Sequence, residues 1–286
     1  MQPHTKLAYG WGGSDAPFFI SLGIIGATYI FLIVAMLGAD LAYTSLGDMG
    51  VALKSEPIQY AIKLSLLSCT VTAILSVIVA VPLGYLLSSR GRIDGQRNSL
   101  LSALRVAADA IVDIPIVLPP LVIGLSLLIL FQTPPGKWIQ KYVTVSYAIP
   151  AVILAQFSVA AAFAVRTMRV TFDQISPRSE QVAMTLGCTR GQAFWRVVVP
   201  EAWHGILTAG TIAWARAMGE FGPILVFAGA TRMRTEVLPT TVFLELSVGR
   251  LESAVAVSLI MVLAAVVVLV IVRLAGGDAM GRLART

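Results

Sequence analysis

Six stretches of this chain are apolar over about twenty residues, the length an α-helix needs to cross the hydrocarbon of a bilayer. They cover residues 17–39, 58–89, 104–131, 147–165, 206–230 and 251–272. Runs of that length leave little choice of architecture, and they predict an all-α integral membrane protein with six transmembrane helices. Composition agrees: 57% of residues are hydrophobic and only 13% charged, against about 25% charged in an ordinary soluble domain. The first run lacks a strongly basic start and a small-residue cleavage site, which makes it a retained span rather than a signal peptide. The spans leave no room for a separate soluble domain: residues 1–16 and 274–286 are expected to be tails on a transmembrane domain of residues 17–273.

The net charge of +6 does not point to nucleic acid, because the basic residues sit at the ends of apolar runs instead of forming one patch. That placement is what orientation in a membrane requires. With both termini on the same side as the link after the fourth run, that side holds thirteen Lys and Arg residues and the other side six. The positive-inside rule then places both termini in the cytoplasm, together with the polar stretch 176–200.

That stretch, SPRSEQVAMTLGCTRGQAFWRVVVP, is the longest polar interruption between spans, and it reads as two short helices meeting at a corner. Ser176 and Pro177 make a good helix start. Val182 and Leu186 lie four apart on one face. Gly187 is placed to end the helix in a left-handed conformation. Thr189 and Gln192 have the spacing of a capping box for the second helix, and Pro200 is expected to close the unit. A corner of this kind between two spans is suited to receive a partner on its side of the membrane.

The corner resembles the cytoplasmic loop of permease subunits from bacterial importers of the ATP-binding cassette class, whose pattern is E-A-A, three residues, G, nine residues, I-x-L-P. Here Gln181, Val182 and Ala183 occupy the E-A-A positions, with Glu180 one residue early. Gly187 follows at the right distance, and Val197-x-Val199-Pro200 replaces I-x-L-P. The resemblance extends over residues 55–273 and includes the proline-rich third span and WARAMGEFGPILVFAG in the fifth. It implies a type I importer permease fold and a non-catalytic subunit that works as a dimer, expected to be a homodimer, in a bacterial inner membrane. A separate cytoplasmic ATPase would dock on a coupling helix at 177–187, with Glu180, Gln181, Val182, Ala183, Leu186, Gly187 and Pro200 as the coupling residues, and an extracytoplasmic binding protein would deliver the solute. GEFGPILVFAG followed by Leu-Pro-Thr-Thr is similar to permeases for molybdate, tungstate and sulfate; related permeases for thiamine, iron(III) or polyamines remain open at this point.

Five residues within the spans are candidates for a path or gate. Arg216 and Glu220 are four apart on one helical face, and charges at that depth face protein or a water-filled cavity. A structural pair is the plainer alternative. Pro119, Pro120 and Gly124 free backbone groups in the third span, the kind of interruption that borders a cavity, or else an ordinary packed kink. Cys69, Cys188, His4 and His204 form no metal-ligand or disulfide pattern, and no cofactor or metal site is expected. The nearest approach to a phosphate-binding loop, Pro135-Gly136-Lys137-Trp138, lacks the rest of that motif. A gradient-driven carrier would need acids within its spans, of which Glu220 is read as the only clear one. An intramembrane hydrolase would need a nucleophile turn or paired aspartates in facing spans, and neither is read here.

Overall fold

The computed structural model describes residues 16–89 and 99–283. The expected N-terminal tail as far as residue 15, the basic cluster Arg90, Arg92 and Arg97, and the last three residues lie outside the described residues. Among the described residues every regular element is a helix, and no strand occurs. The chain forms two units, one up to Ser45 and one from Leu46 onward. The first contains α1 (Ala16–Tyr43), an uncharged apolar helix as far as Ala39 and long enough to span.

The second unit is built around three helices, α3 (Glu56–Leu87), α7 (Ile149–Gln174) and α11 (Trp203–Met218), which pack against one another. Their contact faces consist of small residues. Ala61, Ser65, Cys69, Thr72, Ser76 and Ala80 run along α3, Ala151, Ala155 and Ala160 along α7, and Ala209, Ala213 and Ala217 along α11, all buried. Lipid gives apolar side chains no reason to pair, so close backbone approach through small residues is what holds such helices together. One buried amide fixes the register: Gln156 Nε2 donates to the Ala217 carbonyl at 3.2 Å, and the Thr72 hydroxyl lies 3.3 Å from Gln156 Oε1. α14 (Leu251–Leu283) lies against α11 and α13 (Leu238–Ser247), α2 (Leu46–Lys54) lies against α14, and the short α6 (Pro134–Gln140) lies against the helix before it.

Two of the six expected spans are not single helices. Four helices among the described residues are long and apolar enough to cross a membrane: α1, α3, α7 and the 251–271 part of α14. The third expected span divides into α4 (Ser99–Val117) and α5 (Pro120–Gln132), which meet at 114°. Pro119 and Pro120 are the cause. Each forces the residue before it out of the helical region, and Pro120 then fits the first turn of a new helix. The fifth divides into α11 and α12 (Gly222–Phe227), because Gly219 ends the first and Gly222-Pro223 starts the second. Glu220 is also not the only acid within an expected span. Asp109 and Asp113, one turn apart on α4, form ion pairs with Arg169 and Arg166 of α7.

Candidate functional site

The corner at 176–200 is two helical pieces joined by a tight turn. α8 (Pro177–Thr185) starts at Ser176, whose hydroxyl accepts the Arg178 N–H at 3.3 Å. It ends in a left-handed glycine: Gly187 has φ +93°, its N–H donates to the Met184 carbonyl at 3.0 Å, and the Cys188 N–H donates to the Ala183 carbonyl at 3.1 Å. That pair of bonds satisfies the last carbonyls of the helix and requires positive φ at position 187. α9 (Arg190–Ala193) opens with the Thr189–Gln192 capping box.

The chain does not stop at Pro200. A π-helical turn over Phe194–Val198 leads into α10 (Val199–Glu201) and on to α11. Proline lacks an N–H and crowds the carbonyl four residues back, and the wider turn, closed by the Val199 N–H on the Phe194 carbonyl, lets the path continue.

The coupling candidates divide between two faces. Val182 and Leu186 stand 56% and 81% exposed, together with Gln181 and Gly187, and Trp195 of the second arm is exposed too. Glu180 and Ala183 turn inward. The Glu180 side chain is buried among the chain's own residues: the Tyr85 hydroxyl, at the end of α3, donates to its Oε1 at 2.6 Å, and Arg190 Nε lies 3.6 Å from the same oxygen. Hydrogen bonding to Tyr85, with the nearby Glu180 charge, holds Arg190 above its ordinary pKa. Tyr85 was not singled out in the sequence, since 95 residues separate it from Glu180.

The path candidates converge on a second place. Pro119, Pro120, Arg216 and Glu220 line one pocket of about 340 Å³ with Gly219, Phe221 and Gly222. Arg216 Nη1 lies 2.6 Å from Glu220 Oε1, and the carboxylate side chain is only 1% exposed while the arginine is 30% exposed. The guanidinium also stands 5.6 Å from the centre of the Phe163 ring, within cation–π range. Arg216 is therefore fixed from two sides with one side left open to the pocket. Gly124 lies outside that lining, one turn along α5 from Pro120, where α5 meets α12: a Cβ there would sit 2.7 Å from Pro223 Cα. Among the described residues no group of acids, histidines and cysteines is arranged to hold a metal ion.

Known proteins are similar to this chain in sequence and in architecture. The family described as binding-protein-dependent transport system inner membrane component matches residues 80–276. The sulfate transport system permease protein CysT of Escherichia coli is 28% identical over 258 residues, covering 88% of this chain and 90% of that one. The molybdate/tungstate transport system permease protein WtpB of Thermococcus kodakarensis is 32% identical over 211 residues, covering 73% and 76%. Among solved structures, a chain of a bacterial ABC transporter involved in the import of alginate superposes with a TM-score of 0.69 at 18% identity, covering 92% of this chain and 96% of that one. The matched region runs from the end of α3 through the corner and the pocket into α14, and the chain belongs to the binding-protein-dependent transport system inner membrane component family, as the non-catalytic permease subunit of an ATP-binding cassette importer.

Proposed function

We propose that this subunit forms the membrane path for a tetrahedral oxyanion, molybdate or tungstate or else sulfate. A cytoplasmic ATPase would dock on the exposed face of α8, an extracytoplasmic protein would deliver the anion, and a second copy of the chain would complete the path through the bilayer. The observation that carries this reading is that named relatives spanning most of the chain are permeases for these anions. The pocket suits such a solute. A lone buried cation would hold an anion too tightly to release it, whereas Arg216, partly neutralised by Glu220 at 2.6 Å, attracts an anion and still lets it go. Pro119 and Pro120, in the lining of the same pocket, supply the break at which a gate can form. The exposed Val182 and Leu186 give the ATPase a small apolar surface, and both termini belong on its side of the membrane.

The test is uptake by the reconstituted importer, with molybdate, tungstate and sulfate each presented. ATP-dependent, vanadate-sensitive uptake of at least one is expected, and Arg216→Ala should lower it about tenfold or more while the ATPase subunit still co-purifies; one charged hydrogen-bonding contact supports a loss of that order. Uptake of none of the three overturns the substrate reading. Unchanged uptake in Arg216→Ala removes Arg216 from the path.

A further inference from the structure

The corner is fastened to the rest of the chain on one side in particular, at the C-terminal end of α3. Three contacts meet there. The Tyr85 hydroxyl donates to the buried Glu180 carboxylate at 2.6 Å, linking α3 directly to α8. The Tyr85 ring packs edge-on against Phe172 of α7 at 5.7 Å and stands tilted against Phe194, in the second arm of the corner, at 4.7 Å. Next to it in the chain, Gly84 lets α3 approach α7 so closely that a Cβ would fall 2.6 Å from Met168 Cβ, and four residues on from Tyr85 the Ser89 N–H donates to Asp173 Oδ1 at 2.7 Å. Arg190 reaches the Glu180 carboxylate from the second arm, its Nε 3.6 Å from Oε1.

Both arms of the corner, the end of α3 and the end of α7 therefore converge on one tyrosine. The outward face of α8 carries the exposed apolar side chains, while the inward face carries Glu180. A push on the outer face has a polar, directional connection to α3 through that carboxylate. Van der Waals contacts can slide; a short hydrogen bond to a buried carboxylate resists sliding, because breaking it takes one donor from a charge in a poorly solvated place.

We infer that Tyr85 is the positioning residue that passes movement of the corner into the transmembrane helices, with the Tyr85–Glu180 hydrogen bond as the rigid link and α3 as the receiving span. This rests on the corner being the docking site of an ATPase, and it adds where the motion goes next. From α3 it reaches the pocket by a short route. α3 packs along α7 and α11 through their small-residue faces, with Gln156 bonded to α11 at Ala217, next to Arg216.

Tyr85→Phe removes one oxygen and leaves the aromatic cluster filled. In the complete importer, hydrogen exchange is followed at residues 84–89 and 177–187, without nucleotide and with ATP plus vanadate. In wild type both segments should respond. In Tyr85→Phe the ATPase subunit should still co-purify and 177–187 should still respond, while the response of 84–89 is lost. The anion carried per ATP hydrolysed should then fall about tenfold, the weight of one charge-assisted hydrogen bond. Glu180→Gln, whose amide oxygen can accept the same hydroxyl, should keep the response at 84–89. A Tyr85→Phe complex in which 84–89 responds as in wild type, with unchanged anion carried per ATP, overturns the link. Failure of the oxyanion reading is seen separately, as a wild-type importer that takes up none of the three anions while the exchange comparison still decides the role of Tyr85. A wild-type chain that binds no ATPase overturns both.

Discussion

Gly187 shows how much of the corner depends on a single residue. Its φ of +93° is in the region that side-chain-bearing residues avoid, and it closes both terminal hydrogen bonds of α8. A Cβ built there meets nothing within 4 Å, so in the isolated chain size is irrelevant and only conformation matters. Alanine and leucine at this position should therefore cost the fold the same, about 1–2 kcal/mol for a left-handed non-glycine residue. They should differ once a partner is present. Gly187→Ala is expected to retain most of its ATPase binding, whereas Gly187→Leu projects a large side chain from the outer rim of the corner and should lose it. Thermal unfolding of the purified subunit measures the first effect and co-purification the second. Equal retention of the ATPase by both variants would show that this rim is not covered by the partner. Glu180 makes the complementary point: in the sequence it looks like an acidic contact for a partner, yet its side chain is only 7% exposed and its near neighbour is Tyr85.

At the level of elements, the α5–α12 contact is where the path candidates acquire a defined geometry. Gly124 sits against the backbone of Pro223, and Gly222 against the start of α5, with 3.2 Å between a Cβ at Gly222 and Leu121 N. Since the obstacle at Gly124 is backbone, it cannot swing aside. Gly124→Ala should push α5 off α12, cost about 1–3 kcal/mol as overpacking does, and lower uptake by displacing Pro119 and Pro120 from Arg216. Gly50→Ala in α2, where a Cβ meets nothing within 4 Å, is the control and should be neutral or slightly stabilising. A Gly124→Ala subunit as stable and active as this control would mean that the contact yields. The same elements show what a sequence reveals and what it conceals. Run length located α3, α7 and the start of α14, and cap chemistry located both ends of α8 and the start of α9, because both depend on neighbours along the chain. The prolines at 119 and 120 marked a break, but the 114° bend depends on α12 receiving α5, a contact between residues about a hundred positions apart. The division of the fifth span was signalled by Gly222-Pro223 and was overridden by the apolar run around it. Asp109 and Asp113 were passed over for a different reason: a carboxylate within an apolar run looks out of place until the arginines of α7 lie beside it.

For the whole molecule, the proposed coupling has a direction: force would enter at the corner, cross α3 and end at the pocket between α5, α11 and α12. That order has meaning only if the corner faces the compartment that holds ATP. Thirteen basic residues against six favour that side, and the chain carries its own reporter for it. Of its two cysteines, Cys69 is fully buried in the α3 face, whereas Cys188 sits partly exposed in the turn after Gly187. A membrane-impermeant maleimide should leave the subunit unlabelled in intact spheroplasts and label it in inverted vesicles. Cys188→Ser should abolish that signal, and Cys69→Ser should leave it unchanged. Because Cys188 adjoins the proposed docking face, a bound ATPase subunit should slow the reaction in the inverted vesicles, and stripping the ATPase should restore it. Labelling of Cys188 from outside intact spheroplasts would put the corner on the wrong face, and with it would go the docking of an ATPase there and the route through Tyr85.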